Sequence, residues 1–120
     1  MKKKISSFRD LNIWNMSIDL VKDVYILTNS FPKEEKYAII SQMRRAVVSI
    51  PSNISEGFGR KYNKEFKQFL NIAVGSCCEL ETQIEISNRV KYIDDSKKNE
   101  LIDRINHIKS MILSLIKKLK

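Results

Sequence analysis

The chain is 120 residues long, 42% of them hydrophobic, with only three glycines and two prolines, a composition that fits one compact, strongly helical domain able to bury a core without covalent staples. No run approaches the roughly 18 apolar residues of a spanning helix, which excludes an integral membrane protein. The 22 lysines and arginines outnumber 14 acidic residues and leave a formal charge of +8, which favours an anionic partner while also serving solubility. The opening lysines resemble the start of a secretory leader, but Phe8, Arg9 and Asp10 interrupt any apolar stretch, so secretion is not expected. Cys77 and Cys78 are neighbours and point about 100° apart on a helix, which disfavours a disulfide and places the chain in a reducing, cytoplasmic setting.

In chain order, the first predicted helix runs from Ile13 to Asn29. Ile13, Leu20, Val24 and Leu27 form one stripe, and Trp14, Ile18, Val21 and Tyr25 form a second beside it. Phe31 and Pro32 end it, and a second helix is expected to begin near Glu34 to Lys36, where acidic residues suit the positive end of a helix dipole. Ser41 to Arg60 reads as one long helix with two faces. Ile40, Met43, Val47, Ile50 and Ile54 are apolar at spacings of three and four, whereas Gln42, Arg45, Ser49, Ser52, Asn53 and Glu56 keep the same spacing but are polar. Pro51 lies inside both stripes and predicts a kink; Gly57 and Gly59 are expected to stop the helix.

Asn63 is the expected cap of a third helix with the stripe Phe66, Leu70, Ala73, Cys77, Leu80 and Ile84, fading near Arg89 to Tyr92. Asp95 or Ser96 is expected to cap a fourth, whose seam Leu101, Ile105, Ile108, Ile112, Leu115 and Leu119 is the cleanest in the chain. Joints of a few residues connect antiparallel neighbours, so the predicted fold is all-α, an up-down-up-down four-helix bundle in a single domain spanning residues 1–120. The second stripe of helix one, with Ile102, Leu113 and Ile116 of helix four, exceeds what one seam buries and predicts a homo-oligomer, unless the bundle wraps more fully.

In such a bundle residues 1–12, residues 56–68 and the tail share one pole. Their net charges of +3, +2 and +3 account for the whole formal excess. The joint Phe58-Gly59-Arg60-Lys61-Tyr62-Asn63-Lys64 interleaves cations with aromatics, a mixture suited to nucleic acid, because cations neutralise phosphates and aromatic rings stack on unpaired bases. Arg60, Lys61, Lys64, Lys67, Lys117 and Lys118 are the candidate phosphate contacts and Tyr62 the candidate stacker. Two plainer readings stand beside this one: solvated lysines at chain ends, and Phe58 or Tyr62 packing inward.

Arg45, Ser49, Asn53, Glu56, Glu79 and Gln83 form a candidate polar seam between helices two and three, with Arg45 and Glu79 as the preferred pair. Such a seam sets register more than strength. Its functional alternative is a ligand or acid–base site on Glu79 or Glu56. No catalytic set, metal site or cofactor site is expected. The single histidine, His107, lacks the Glu-x-x-His partner a bundle metal site needs; Gly57-x-Gly59 lacks the strand and third glycine of a dinucleotide fingerprint; and Cys77 and Cys78 read as small buried hydrophobes.

Phe31-Pro32-Lys33-Glu34-Glu35, Ser41-Gln42-Met43-Arg44-Arg45-Ala46 running on to Ser49-Ile50-Pro51-Ser52-Asn53-Ile54-Ser55-Glu56-Gly57, and Gly75-Ser76 followed by Glu79-Leu80-Glu81-Thr82-Gln83 carry a resemblance. The chain resembles the 23S rRNA intervening-sequence protein family, also labelled S23 ribosomal protein, over nearly its whole length. The resemblance implies an antiparallel four-helix bundle assembled as a ring-like homopentamer, with no catalytic residues to carry over. A related branch, the accessory proteins of diversity-generating retroelements, binds nucleic acid and a reverse transcriptase. The leading expectation is therefore a cytoplasmic, non-enzymatic, oligomeric RNA- or DNA-binding bundle; the competing one is a protein-interaction scaffold.

Overall fold

The computed structural model describes residues 4–120; Lys2 and Lys3, counted above in the N-terminal charge, lie outside the described residues. Four helices carry the fold: α1 (Asn12–Thr28), α2 (Ile39–Phe58), α3 (Asn63–Arg89) and α4 (Asp95–Lys118), with single 3-10 turns at Phe8–Asp10 and Lys33–Glu35. Among the described residues there is no strand, and the fold is an all-α four-helix bundle. None of these helices is long and apolar enough to cross a membrane.

Apolar residues at spacings of three and four lie on one side of a helix, and here those sides meet. Ile13, Leu20 and Val24 of α1, Met43, Val47, Ile50 and Ile54 of α2, Leu70, Ala73, Cys77, Leu80 and Ile84 of α3, and Leu101, Ile105, Ile108 and Ile112 of α4 form one buried cluster. Polar residues inside it stay satisfied locally. Ser17, Thr28 and Ser87 donate their hydroxyls to the carbonyls of Trp14, Val24 and Gln83, each at 2.8 Å, which offsets their desolvation.

Contacts between helices run in opposite chain order. Ser49 meets Ser76 and Met43 meets Ser87, while Gly57 faces Phe66 and Phe69. Asp23 pairs with Arg104, and Leu11 and Ile13 share a cleft with Met111 and Leu115. Glu85 pairs with Lys98 and Glu81 with Lys109. One end of the core is closed by joint residues that carry no periodic signal: Phe31 and Ile93 are buried, and the Tyr92 ring lies 5.2 Å from that of Phe31 while its hydroxyl donates to Glu35 Oε2 at 3.0 Å.

Several boundaries differ from the sequence reading, each for a local reason. α1 starts and stops one residue earlier. Lys33–Glu35 forms its own 3-10 turn after Pro32, so α2 begins at Ile39. α2 continues through Pro51, whose ring is buried and which lacks the N–H that would reach the Val47 carbonyl. Gly57 sits inside α2, and Gly59 at its end has an ordinary φ of −76°, so neither ends the helix by a left-handed turn. Asn63 is the first residue of α3; Tyr62 holds the cap position without a side-chain bond. Asp94, rather than Asp95 or Ser96, caps α4, accepting from the Lys97 backbone N–H at 2.7 Å. α3 ends in a Schellman turn: the Tyr92 N–H reaches the Ser87 carbonyl at 2.8 Å and the Lys91 N–H that of Asn88 at 3.0 Å, with Lys91 at φ 69°.

Candidate nucleic-acid interface

A close approach of two helices builds the α2–α3 turn. At Gly57 an added Cβ would lie 2.7 Å from the Phe69 Cβ and 2.9 Å from a Phe66 ring carbon, so only glycine lets the end of α2 sit this near α3. The Phe58 ring then meets that of Phe66 edge-on at 6.0 Å, and both are half-buried. Phe58 therefore packs inward. The chain leaves α2 with Gly59 N–H on the Ser55 carbonyl and Arg60 N–H on that of Gly57, and re-enters a helix at Tyr62, whose carbonyl accepts from Glu65 and Phe66 at 3.1 Å.

This geometry turns Lys61, Tyr62, Asn63 and Lys64 outward, all exposed, with Tyr62 at 61%. The Lys61 ammonium stands 5.5 Å from the centre of the Tyr62 ring, and neither Lys61 nor Lys64 forms an ion pair among the described residues. Arg60 is more engaged. Its guanidinium bonds Glu56 at 3.2 Å and lies 4.8 Å over the Phe69 ring. Lys67 is half-buried one turn further on. Lys117 and Lys118 are exposed in the last turn of α4, where positive charge also complements the helix dipole, and Lys118 lines a cleft with Ile5, Asp10 and Leu11 at the start of α1.

The polar seam is smaller than the spacing implied. Ser76 donates to Ser49 Oγ at 2.7 Å, and Asn53 Nδ2 reaches Ser49 Oγ at 2.9 Å and its carbonyl at 2.8 Å, tying α2 to α3. Arg45 and Glu79 do not form the expected pair. Both are exposed, and no hydrogen bond or ion pair joins them, because their positions lie outside the strip where α2 and α3 touch. Glu56 belongs to the surface pair with Arg60, and Gln83 is buried with its Oε1 lacking a partner among the described residues.

Burial, followed by the proximity of Cys78, pushes the Cys77 thiol up to about 12, whereas Cys78 is exposed. His107 is exposed beside Asp103 and Arg104. Among the described residues no three His, Cys, Asp or Glu side chains gather where they would hold a metal ion. Spacing did not mark Lys36, Tyr37 and Arg44, which the structure gathers with Arg45 in a cleft at the other end of α2; the repeated pairing of cations with a tyrosine was the signal that could have found them.

The bundle and its outward, tyrosine-bearing turn define a small basic all-α protein with exposed lysines at that turn. The family described as 23S rRNA-intervening sequence protein matches residues 9–114, and the chain belongs to that family. Its fold is similar to the crystal structure of a protein of unknown function from the S23 ribosomal protein family of Bacteroides thetaiotaomicron VPI-5482, with 22% identity, a TM-score of 0.79, and coverage of 88% of this chain and 98% of that one. No curated protein matches the chain.

Proposed function

We propose that this protein is a non-enzymatic, cytoplasmic nucleic-acid-binding bundle that engages RNA, rRNA foremost, through the α2–α3 turn. The observation that carries the reading is Lys61, Tyr62 and Lys64: two ammonium groups without a carboxylate partner among the described residues flank an outward tyrosine. Lysine neutralises phosphate, and a ring this exposed is free to stack on an unpaired base. The opposed chain order of the helix contacts supports an up-down-up-down arrangement. On that reading Lys117 and Lys118 rise at the same end and extend the cationic surface.

Self-association fits the same reading. Trp14, Val21, Ile102 and Ile116 of the extra stripes pack partly onto the core, but Ile18, Ile26, Ile72, Ile86 and Leu113 remain exposed. Burying them between copies removes apolar surface from water, and a ring, pentameric on the family resemblance, repeats the cationic turn around one rim so that weak phosphate contacts add. These same residues favour a second reading, a scaffold for a protein partner such as a nucleic-acid-processing enzyme.

Anisotropy titration of a labelled rRNA-derived hairpin against salt tests the proposal. Removing two phosphate contacts with Lys61→Glu and Lys64→Glu lowers the slope of log affinity on log salt by about 1.4 to 1.8. A flat dependence, or an unchanged slope in the double variant, refutes it. A protein partner retained by the same variant favours the scaffold.

A further inference from the structure

At the opposite end of α2 an open cleft of about 410 Å³ is lined by Tyr25, Lys36, Tyr37, Ser41, Arg44 and Arg45, with no carboxylate in its wall. Its volume lies within the roughly 300–1,000 Å³ of small-ligand sites. The cleft stands on a different set of residues from the α2–α3 turn. Arg45 and Arg60 are 15 positions apart in the sequence, or roughly 22 Å along a helix.

Three features make it more than a solvated surface. Arg44 is held in place by neutral groups: Nε donates to the Thr28 hydroxyl at 3.0 Å, an Nη donates to Asn29 Oδ1 at 3.0 Å and to the Tyr25 carbonyl at 3.4 Å, and the guanidinium lies 4.5 Å over the Tyr25 ring. Its position is fixed while no carboxylate among the described residues pairs with its charge. Arg45 is exposed and makes no hydrogen bond or ion pair among the described residues, whereas Arg60, Arg89 and Arg104 all have carboxylate partners. Tyr37 is 89% exposed, with the Lys36 ammonium 5.5 Å from its ring centre, so this large ring serves no core contact. The nearest acidic residue in sequence with a known commitment, Glu35, is occupied by the Tyr92 hydroxyl.

We propose that this cleft binds nucleoside phosphates, with the phosphate held by Arg44, Arg45 and Lys36 and the base stacked on Tyr37. A guanidinium offers a planar donor fork matched to phosphate oxygens, and a tyrosine face accepts any base. The same chemistry serves a free mononucleotide or one unit of a single strand. The inference stands separately from the reading of the α2–α3 turn.

Amide NMR titrations of the full chain with adenosine monophosphate, adenosine, inorganic phosphate and a short oligoadenylate test it. The monophosphate shifts Tyr37, Ser41 and Arg45 at lower concentration than adenosine or phosphate alone. Arg45→Gln weakens this response at least about tenfold; Tyr37→Ala weakens it about fivefold or more; Lys61→Glu with Lys64→Glu leaves it unchanged. Because Arg45 has no structural bond, an unaltered urea midpoint shows that its variant remains folded. A response at these residues to the oligoadenylate alone supports the site and assigns it to a nucleotide within a strand. No response to either nucleotide, an equal response to adenosine or to phosphate, or binding unchanged in Arg45→Gln overturns it.

Discussion

Gly57→Ala and Gly75→Ala make the same chemical change in two helices and are expected to move stability in opposite directions. At Gly57 the new methyl meets the Phe69 Cβ at 2.7 Å, a Phe66 ring carbon at 2.9 Å and the Phe66 carbonyl oxygen at 3.3 Å. Carbon atoms pack best at about 3.5 to 4.0 Å, so α2 and α3 must part locally by nearly 1 Å. The Phe66 ring carbon belongs to a side chain that can rotate, but the Phe69 Cβ is fixed by its own backbone. Overpacking of this kind costs about 1 to 3 kcal/mol, and the helix-propensity gain of alanine, at most about 1 kcal/mol, is reduced so near the end of α2. The net expectation is a loss of about 1 to 2 kcal/mol. At Gly75, within α3, nothing lies within 4 Å of the added methyl, and the gain of up to about 1 kcal/mol stands alone. With a urea slope near 2 kcal/mol per molar, Gly57→Ala lowers the midpoint by about 0.5 to 1 M and Gly75→Ala raises it by up to about 0.5 M. The close-approach argument fails if Gly57→Ala is as stable as the parent. If it holds, the displaced Phe58–Phe66 contact also re-aims the turn, and the RNA binding proposed for that turn weakens although no charge has changed.

Lys91 holds a left-handed conformation that costs an ordinary residue about 1 to 2 kcal/mol, against about 0.5 to 1 kcal/mol of extra chain entropy that glycine loses on folding, so Lys91→Gly adds up to about 1.5 kcal/mol of stability, read as a higher urea midpoint. A thiol assay with Ellman's reagent on the folded protein reports one fast cysteine, Cys78, while Cys77 reacts only in denaturant; two fast thiols contradict the buried placement. The hydrogen bond from Lys98 holds the Glu85 carboxyl below its ordinary value of 4.5, with Arg89 adding to the effect. The folded protein therefore keeps that carboxylate charged where the unfolded chain takes up a proton. The stabilisation is present above the ordinary carboxylate range and is lost as pH falls through the lowered value. Urea midpoints from about pH 7 to about pH 3 show the parent's advantage over Lys98→Gln shrinking; an advantage that grows with acid contradicts the assignment.

The periodic residues made the core legible. Every residue of the apolar stripe of α2 is buried, as are Leu70, Ala73, Cys77, Leu80 and Ile84 of α3, because a helix commits its side chains to fixed directions. Joint residues follow no period, and for that reason periodicity does not mark Phe31 and Ile93, although both are buried in the core. Caps are decided by a single torsion, which is why Asp94 rather than its neighbours holds α4. The role of Gly57 was hidden for another reason: a glycine needed for close approach and a glycine needed for a turn look alike until the facing helix is placed. Arg45 and Glu79 show the limit of facing-strip arguments, since a polar stripe one position off the contact line reaches water instead of its partner.

The charge distribution carries the same lesson further. Summed over windows, the chain outside its termini and the 56–68 joint is neutral, and that neutrality hid the cleft at Lys36, Arg44 and Arg45. Neutrality of a window is not neutrality of a surface. Glu35 turns to Tyr92, Glu85 to Lys98, Glu81 to Lys109 and Asp23 to Arg104, so each of these carboxylates is committed elsewhere and none lines the cleft. Arg44 meanwhile is tethered, among the described residues, by neutral oxygens, which fix its position without cancelling its field. A helix about two-thirds the length of the bundle's 44 Å long axis is thus flanked at both ends by cation–tyrosine clusters, with Val48 and Ser52 exposed along it.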